Sequence, residues 1–179
     1  MKRAVVVALA MLVVAGGCRK KSTLTSNLNA ANKVAMRNVR LYYESPRMLL
    51  GSENRDVALP ESPGAALPVV FRELVKGPRR GTTGRVLPRD TVVRAVYLLP
   101  GGTVLVDLGG ATLTQGWGTG SHEELLAVYS LVQTATANFP DARRVRILVN
   151  GAPAETLGGH ISLSRSLSPV PALVEPASR

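Results

Sequence analysis

The sequence is poor in the side chains that most enzyme and metal sites need. Its 179 residues include one cysteine, Cys18, and two histidines, His122 and His160. A single cysteine excludes an internal disulfide and leaves no thiol cluster for zinc. A Gly-x-Ser-x-Gly nucleophile elbow, a His-Glu-x-x-His motif and a glycine-rich phosphate loop ending in Lys-Ser or Lys-Thr are also missing. We therefore expect no enzyme active site, no metal and no cofactor.

Acidic and aromatic residues are scarce as well. The 12 acidic residues face 22 lysines and arginines, and the net charge is +10. Residues 1–17 contain Lys2, Arg3 and no acid, so the rest of the chain carries +8. Such a surplus favours anionic neighbours. Aromatic residues make up only 4% of the chain, too few for base-stacking platforms, so we expect no nucleic-acid partner.

The amino-terminal segment is typical of an export signal. Lys2 and Arg3 precede an uncharged run, residues 4–15, that is too short to span a bilayer comfortably. The run ends in Val-Ala-Gly-Gly-Cys, which resembles a bacterial lipobox, although Ala15 replaces the usual leucine. The resemblance implies a lipoprotein signal peptide, residues 1–17, and a lipid anchor at Cys18 that holds the protein on a membrane. The alternative is an ordinary cleaved signal followed by a spare cysteine.

Composition divides the remaining chain into three parts. Residues 18–36 are rich in Ser, Thr, Asn and Ala and are predicted to form a flexible tether. Residues 37–168 hold most of the large apolar side chains and suit a single domain. Three prolines in residues 169–179 predict a disordered tail.

A hairpin is predicted at the centre of the domain. Residues 91–99 and 103–108 are both apolar and β-branched, and Pro100-Gly101-Gly102 separates them. Both arms are too apolar for a solvated edge, so we expect both in the middle of a sheet.

The other elements follow from periodicity and from stop signals. We expect strands at 37–43 and 143–149, a short hairpin of 48–50 with 55–59, helices at 65–76 and 121–138, a returning strand at 154–157 and an edge segment at 160–163. Ser121 and Glu124 have the spacing of a capping box. Together the pattern predicts a compact α+β domain with a mixed or antiparallel sheet covered by two helices.

Several of these segments, in this order, resemble the GerMN domain of bacterial sporulation and spore-germination lipoproteins. The matching segments are 39–43, Phe-Arg-Glu-Leu-Val-Lys-Gly-Pro at 71–78, Leu-Pro-Arg-Asp-Thr at 87–91, the strand at 102–108, the helix from Ser121, and Val-Arg-Ile-Leu-Val-Asn-Gly at 145–151. The resemblance covers residues 37–168. It implies an α+β domain of the ring-building type, used for protein assembly in the cell envelope, with no established catalytic residues.

Two groups of arginines are candidate binding residues. The first comprises Arg79, Arg80, Arg85, Arg89 and Arg94, and the second Arg143, Arg144 and Arg146. They suit an anionic cell-wall polymer or an acidic protein face. Simple solvation of the eight side chains is the alternative.

Few residues are candidates for catalysis. Asp90 and Asp107 bracket the hairpin and could form a carboxylate pair, but a turn cap at Asp90 and amide binding at Asp107 explain them as well. His122 is expected to be a solvated residue of its helix, and Glu123 and Glu124 suit the helix's positive end. His160 lies in a terminal segment and is expected to be no more than a surface residue there.

The sequence thus favours a lipid-anchored envelope protein whose domain binds another protein or assembles with itself. A binder of anionic cell-wall polymer is the second hypothesis. A hydrolase that uses Asp107 and His122 is the third.

Overall fold

The computed structural model describes residues 33–176. The predicted signal peptide and the anchor at Cys18 lie outside the described residues. The elements are β1 (Val34–Glu44), β2 (Leu50–Pro60), α1 (Pro63–Val75), β3 (Val92–Leu99), β4 (Thr103–Gly109), α2 (Ala111–Gln115), α3 (Ser121–Asn138), β5 (Arg144–Val149), β6 (Ala152–Pro153) and a 3-10 turn, Pro171–Leu173. Among the helices in this part of the chain, none is long and apolar enough to cross a membrane.

The first sheet is a two-stranded ribbon of β1 and β2. The strands pair antiparallel along their whole length, from Val34 opposite Pro60 to Glu44 opposite Leu50. The predicted short hairpin of 48–50 with 55–59 is therefore wrong, because residues 50–60 form one continuous strand. Glu53 and Arg55 lie on the buried face of this strand, so its sequence does not show the alternation of apolar and polar residues expected of a half-buried strand. β1 also begins at Val34, so the domain starts three residues before the predicted boundary at 37.

Side chains of α3 close the outer edge of β1. Asn138 accepts the amide of Arg40 at 2.8 Å and donates to its carbonyl at 2.7 Å. Thr134 accepts the amide of Tyr42 at 3.3 Å, and Ser130 donates to its carbonyl at 2.7 Å. One turn separates Ser130, Thr134 and Asn138, so they form a polar stripe on a single helix face. The helix therefore takes the place of a neighbouring strand.

The second sheet has the order β3-β4-β5-β6. β3 and β4 form the predicted central hairpin, and its turn uses positive φ at Gly101 (81°) and Gly102 (79°), a backbone conformation that favours glycine. β4 runs parallel to β5 and lies inside the sheet, as expected. β3, however, is an edge strand, so the prediction that both arms lie in the middle of the sheet is wrong for it.

Both long helices pack against the apolar face of this sheet. Val96, Val106 and Ile147 lie side by side on β3, β4 and β5 and are at most 3% exposed. α1 contributes Leu67, Val70, Phe71 and Leu74, and α3 contributes Leu126, Leu131 and Val132. These side chains belong to one hydrophobic core that also includes the ribbon. The α+β fold class is confirmed.

The carboxyl-terminal region differs from the sequence prediction. Asn150 and Gly151 form the expected turn with positive φ, but the returning strand is residues 152–153 rather than 154–157. Leu167 pairs with Val145 instead, through two hydrogen bonds of 2.8 Å. The predicted disorder is wrong for residues 169–176, because Val174 forms a bridge with Leu50 of β2. Residues 177–179 are outside the described range.

Candidate functional site

Four arginines of the first group, at positions 79, 80, 85 and 89, lie on the loop between α1 and β3, and Arg94 lies in β3 itself. Glu53 of β2 holds the start of this loop. The buried Oε2 atom of Glu53 accepts the backbone amides of Arg79 at 2.9 Å and Arg80 at 3.2 Å. Its Oε1 atom accepts the Nε–H of Arg55 at 3.1 Å. We call residues 79–89 the basic loop. Its position depends on a buried carboxylate, and no pattern in the sequence predicts that this carboxylate lies inside the protein.

Arg55 connects the basic loop to α1. Its guanidinium is 3.5 Å from Glu73 and donates to the Gly77 carbonyl at 3.0 Å. Burial would raise the pKa of Glu53 and of Glu73. Hydrogen bonds from Arg55 and the loop amides instead hold the pKa of Glu53 below its ordinary range. Hydrogen bonds from Lys76 and Arg55 do the same for the pKa of Glu73. Burial raises the pKa of Tyr43 to about 12, so its neutral hydroxyl donates to the Leu74 carbonyl at 3.1 Å. This charged cluster is a structural support.

Several of the predicted binding arginines have partners within the protein. Arg85 donates to the Val75 carbonyl at 2.8 Å and so caps the end of α1. Arg79 lies 3.6 Å from Glu73, and Arg94 pairs with Asp107 at 3.0 Å. Arg80 lines a cleft beside the ribbon, and Arg89 is exposed. Of the first group, Arg80 and Arg89 are therefore best placed to meet a ligand.

The second arginine group lies beside the hairpin turn. The amides of Arg143 and Arg144 donate to the Gly102 carbonyl at 2.7 and 3.2 Å. Arg144 also donates through Nε to the Thr103 hydroxyl at 2.8 Å, and Arg146 donates to the Ser164 carbonyl. Thr103 and Asp107, the partner of Arg94, are four positions apart along β4, a distance of about 13 Å. Arg94 and Arg144 are thus held at separate points of β4.

The candidate catalytic residues do not converge. Asp107 accepts the Gly151 amide at 2.7 Å, as expected, and Asp90 accepts the Thr112 amide at 2.8 Å, where it caps α2. His122 has one buried ring nitrogen, Nε2, and no hydrogen-bond partner for it. His160 lies 3.1 Å from the Thr119 carbonyl through Nε2. Within residues 33–176, no group of His, Cys, Asp and Glu is arranged to hold a metal ion.

Glu124 plays a different part from the one its spacing suggested. The capping box is wrong, because Gly120 is the N-cap of α3 and Ser121 makes no capping bond. The fully buried carboxylate of Glu124 instead accepts the amides of Leu157 at 2.8 Å and His160 at 2.7 Å. Burial would raise the pKa of Glu124, but backbone amides of residues 157–161 keep it below the ordinary value. The residue fixes a loop to the helix, while Glu123 stays exposed in the first turn.

An exposed apolar strand is the feature that sequence reasoning missed. Val92, Tyr97 and Leu99 of β3 are 54%, 57% and 41% exposed. In the described chain, the backbone of residues 92–98 makes no backbone hydrogen bond outside its pairing with β4. Arg94 and Tyr97, polar side chains within an apolar arm, were the available signal that one side of this strand faces solvent.

The family comparison assigns the domain. The family described as "Germane: Sporulation and spore germination" matches residues 40–155, more than half of the chain. The chain belongs to this family. The Germane match begins within β1 and ends just after β6, so it contains all three α-helices, the whole second sheet and the ribbon except residues 34–39 of β1.

Solved structures share the fold. A protein of Clostridium perfringens named "Putative Lipoprotein" is 15% identical, with a TM-score of 0.54 over 75% of this chain and 87% of that one. The tandem GerMN domains of the sporulation protein GerM from Bacillus subtilis are 21% identical, with a TM-score of 0.53 over 75% of this chain and 46% of theirs. The first GerMN domain of that protein alone gives 22% identity, a TM-score of 0.51 and coverage of 74% and 97%. No curated protein matches the sequence.

Two carboxyl-terminal segments of the described chain lie outside the Germane match. The loop held by Glu124 and the tail that reaches Leu50 both lie beyond residue 155. They contact residues inside the matched region, so they modify the surface of a family domain.

Proposed function

We propose that this protein is a lipid-anchored envelope protein whose Germane domain binds protein partners or further copies of itself and carries out no catalysis. The exposed β3 edge carries the proposal. A strand with free backbone groups and protruding apolar side chains can accept another strand or an apolar surface. The lipobox resemblance at Cys18 supports membrane attachment, and the structural match to a protein named as a lipoprotein is consistent with it.

Site-specific photo-crosslinking in intact cells tests the partner-binding surface. A photoreactive amino acid at Tyr97, exposed on β3, is expected to give a discrete adduct of higher mass. The same group at Ala137, exposed at the end of α3, is the control and is expected to give none. Adducts of equal intensity at both positions, or at neither, contradict the proposal.

Metabolic labelling with a lipid analogue tests the anchor. The wild-type protein should become labelled, and Cys18→Ala should not. Label that survives this substitution, or a wild-type protein without label, contradicts lipidation at Cys18.

Binding of an anionic cell-wall polymer through the arginines is the second candidate function. It is favoured by the exposed side chains of Arg89 in the basic loop and of Arg143 and Arg144 beside the hairpin turn. A triple variant with glutamate at these three positions should no longer pellet with cell wall. Arg85 is left unchanged because its loss would uncap α1. Pelleting at the wild-type level contradicts this function.

A further inference from the structure

The carboxyl-terminal tail, residues 169–176, contains the 3-10 turn and then meets the outer edge of β2 at an isolated bridge. Val174 forms a parallel bridge with Leu50, and the Glu175 amide donates to the Leu50 carbonyl at 3.0 Å. Gln133 of α3 donates to the Val170 carbonyl at 3.2 Å. The tail thus binds the domain as a peptide would, through its backbone.

The side chain of Glu175 enters a polar cleft of about 490 Å³. Arg47, Arg80, Ser52, Thr82 and Thr83 are among the residues that line it, and Glu175 is the only carboxylate in the described lining. Its Oε1 atom lies 3.3 Å from Nε of Arg47. A cleft lined by two cations and several hydroxyls suits an anionic side chain.

The tail is held by two hydrogen bonds between its backbone and the domain, one ion pair and the packing of the partly buried Leu173 and Val174 against the core. Every residue of the tail is at least partly exposed, and the Arg47 side chain in the ion pair is 72% exposed. Such an ion pair contributes about 1 kcal/mol at most. Leu50 beneath the tail is nevertheless 0% exposed. A partly exposed segment therefore covers a buried strand end, and such segments open at lower free-energy cost than the core.

We propose that the edge of β2 at Leu50 and the adjoining cleft form a binding groove for an extended peptide in which a carboxylate follows apolar residues. The tail, with Leu173-Val174-Glu175, is its internal occupant and competes with a partner's peptide. The backbone of the bound peptide pairs with Leu50, and its carboxylate meets Arg47 and Arg80. This inference rests on the proposed function, because it names the kind of partner segment that the interaction domain would bind.

Releasing the tail of the full-length protein tests the groove. In Glu175→Arg the tail carries a cation against Arg47, so the internal occupant should leave. A fluorescent peptide with the sequence of residues 169–179 should then bind at least tenfold more tightly than to wild type, as measured by anisotropy. Glu155→Arg makes the same charge change at an exposed position outside the tail and should bind as wild type does. Equal affinities for all three proteins overturn the proposal.

A reversible lock gives a second measurement that does not depend on removing a charge. The parallel pairing of Leu50 with Val174 brings Ser52 near Pro176, and both line the cleft. In a Cys18→Ser background, Ser52→Cys with Pro176→Cys should lose peptide binding on oxidation and regain it on reduction. Binding that is unchanged by oxidation of a confirmed disulfide overturns the groove. Either failure leaves the crosslinking result at Tyr97 intact, so it is distinguishable from failure of the proposed function.

Discussion

The outer strands β1 and β3 have opposite surroundings. The backbone of β1 is satisfied at Arg40 and Tyr42 by the polar stripe of α3, and at Glu44 by two hydrogen bonds with Gly84. Residues 92–98 of β3 make no backbone hydrogen bond on their outer side within the described chain, and Tyr97 and Leu99 are exposed. Side chains around β1 are thus committed to stability, whereas those of β3 remain available for binding. Substitutions on the two sides should therefore differ in what they change.

The largest loss of stability is expected at Arg55, a buried residue of the ribbon that β1 and β2 form. Arg55→Met would leave the buried carboxylates of Glu53 and Glu73 without their shared partner. We expect the free energy of unfolding to fall by about 3–5 kcal/mol. Arg40→Met, an exposed site on the same ribbon, is the control and should stay within about 0.5 kcal/mol of wild type. Urea denaturation measures both, and equal losses contradict a supporting role for Arg55.

A smaller loss of stability is expected at the hairpin turn between β3 and β4. A Cβ at Gly102 would lie 2.6 Å from the Asp141 carbonyl oxygen, whereas the nearest atom to one at Gly101 is 3.9 Å away. Both glycines have positive φ, so Gly101→Ala measures the backbone strain alone, about 1–2 kcal/mol. Gly102→Ala should cost about 1–3 kcal/mol more. Equal thermal stabilities for the two variants would show that the contact with Asp141 relaxes freely.

The polar stripe should contribute less per residue. Thr134→Val removes the acceptor of the buried Tyr42 amide and should cost about 1–2 kcal/mol. Thr136→Val is matched to it on the same helix, because the Thr136 hydroxyl bonds only to the Val132 and Gln133 carbonyls of α3. It should cost less than about 0.5 kcal/mol. If the two losses are the same, the side chains of α3 do not close β1.

The pH dependence of stability should come from the buried carboxylates. The pKa values of Glu53, Glu73 and Glu124 are lowered by folding, so their stabilisation is fully present above the unfolded pKa of about 4.3. It is lost as the pH falls through the lower folded values. The unfolding free energy should therefore be nearly the same at pH 7 and pH 5 and lower at pH 3.5. Glu124→Gln should be less stable at pH 7 and decline less, and an unchanged slope would exclude Glu124 from the effect.

The smallest change in stability is expected on the exposed side of β3. Tyr97→Ser removes an exposed side chain and should alter the free energy of unfolding by no more than about 0.5 kcal/mol. The same variant should weaken capture of the partner found by crosslinking. A large loss of stability in Tyr97→Ser would show that the exposed side of β3 contributes to stability, as the surroundings of β1 do.

Local signals in the sequence predicted the elements that depend on neighbours in the chain. Pro100-Gly101-Gly102 identified the hairpin of β3 and β4, and Asn150-Gly151 identified the turn between β5 and β6. Helical spacing identified α1 and α3. Each of these depends on residues a few positions apart. The GerMN resemblance drawn from these segments agrees with the family match.

Long-range contacts account for what the sequence did not predict. Glu53 and Arg55 look like surface residues until α1 and the basic loop pack onto them. Both arms of the hairpin are largely apolar, but only β4 receives a second neighbour, the distant strand β5. Glu124 had the spacing of a capping box, yet the amides it binds are more than 30 residues away, at 157 and 160. Composition carries no information on such pairings.

The polar stripe of α3 also has a consequence for biosynthesis. The residues that close β1 follow it in the chain by 88 to 98 positions. A ribosome makes the chain from its amino terminus, so the ribbon emerges with a bare strand edge long before its helix exists. Until about residue 138 has been made, that edge can pair with other nascent chains. A chaperone that shields the ribbon during synthesis and export would be needed most in this interval.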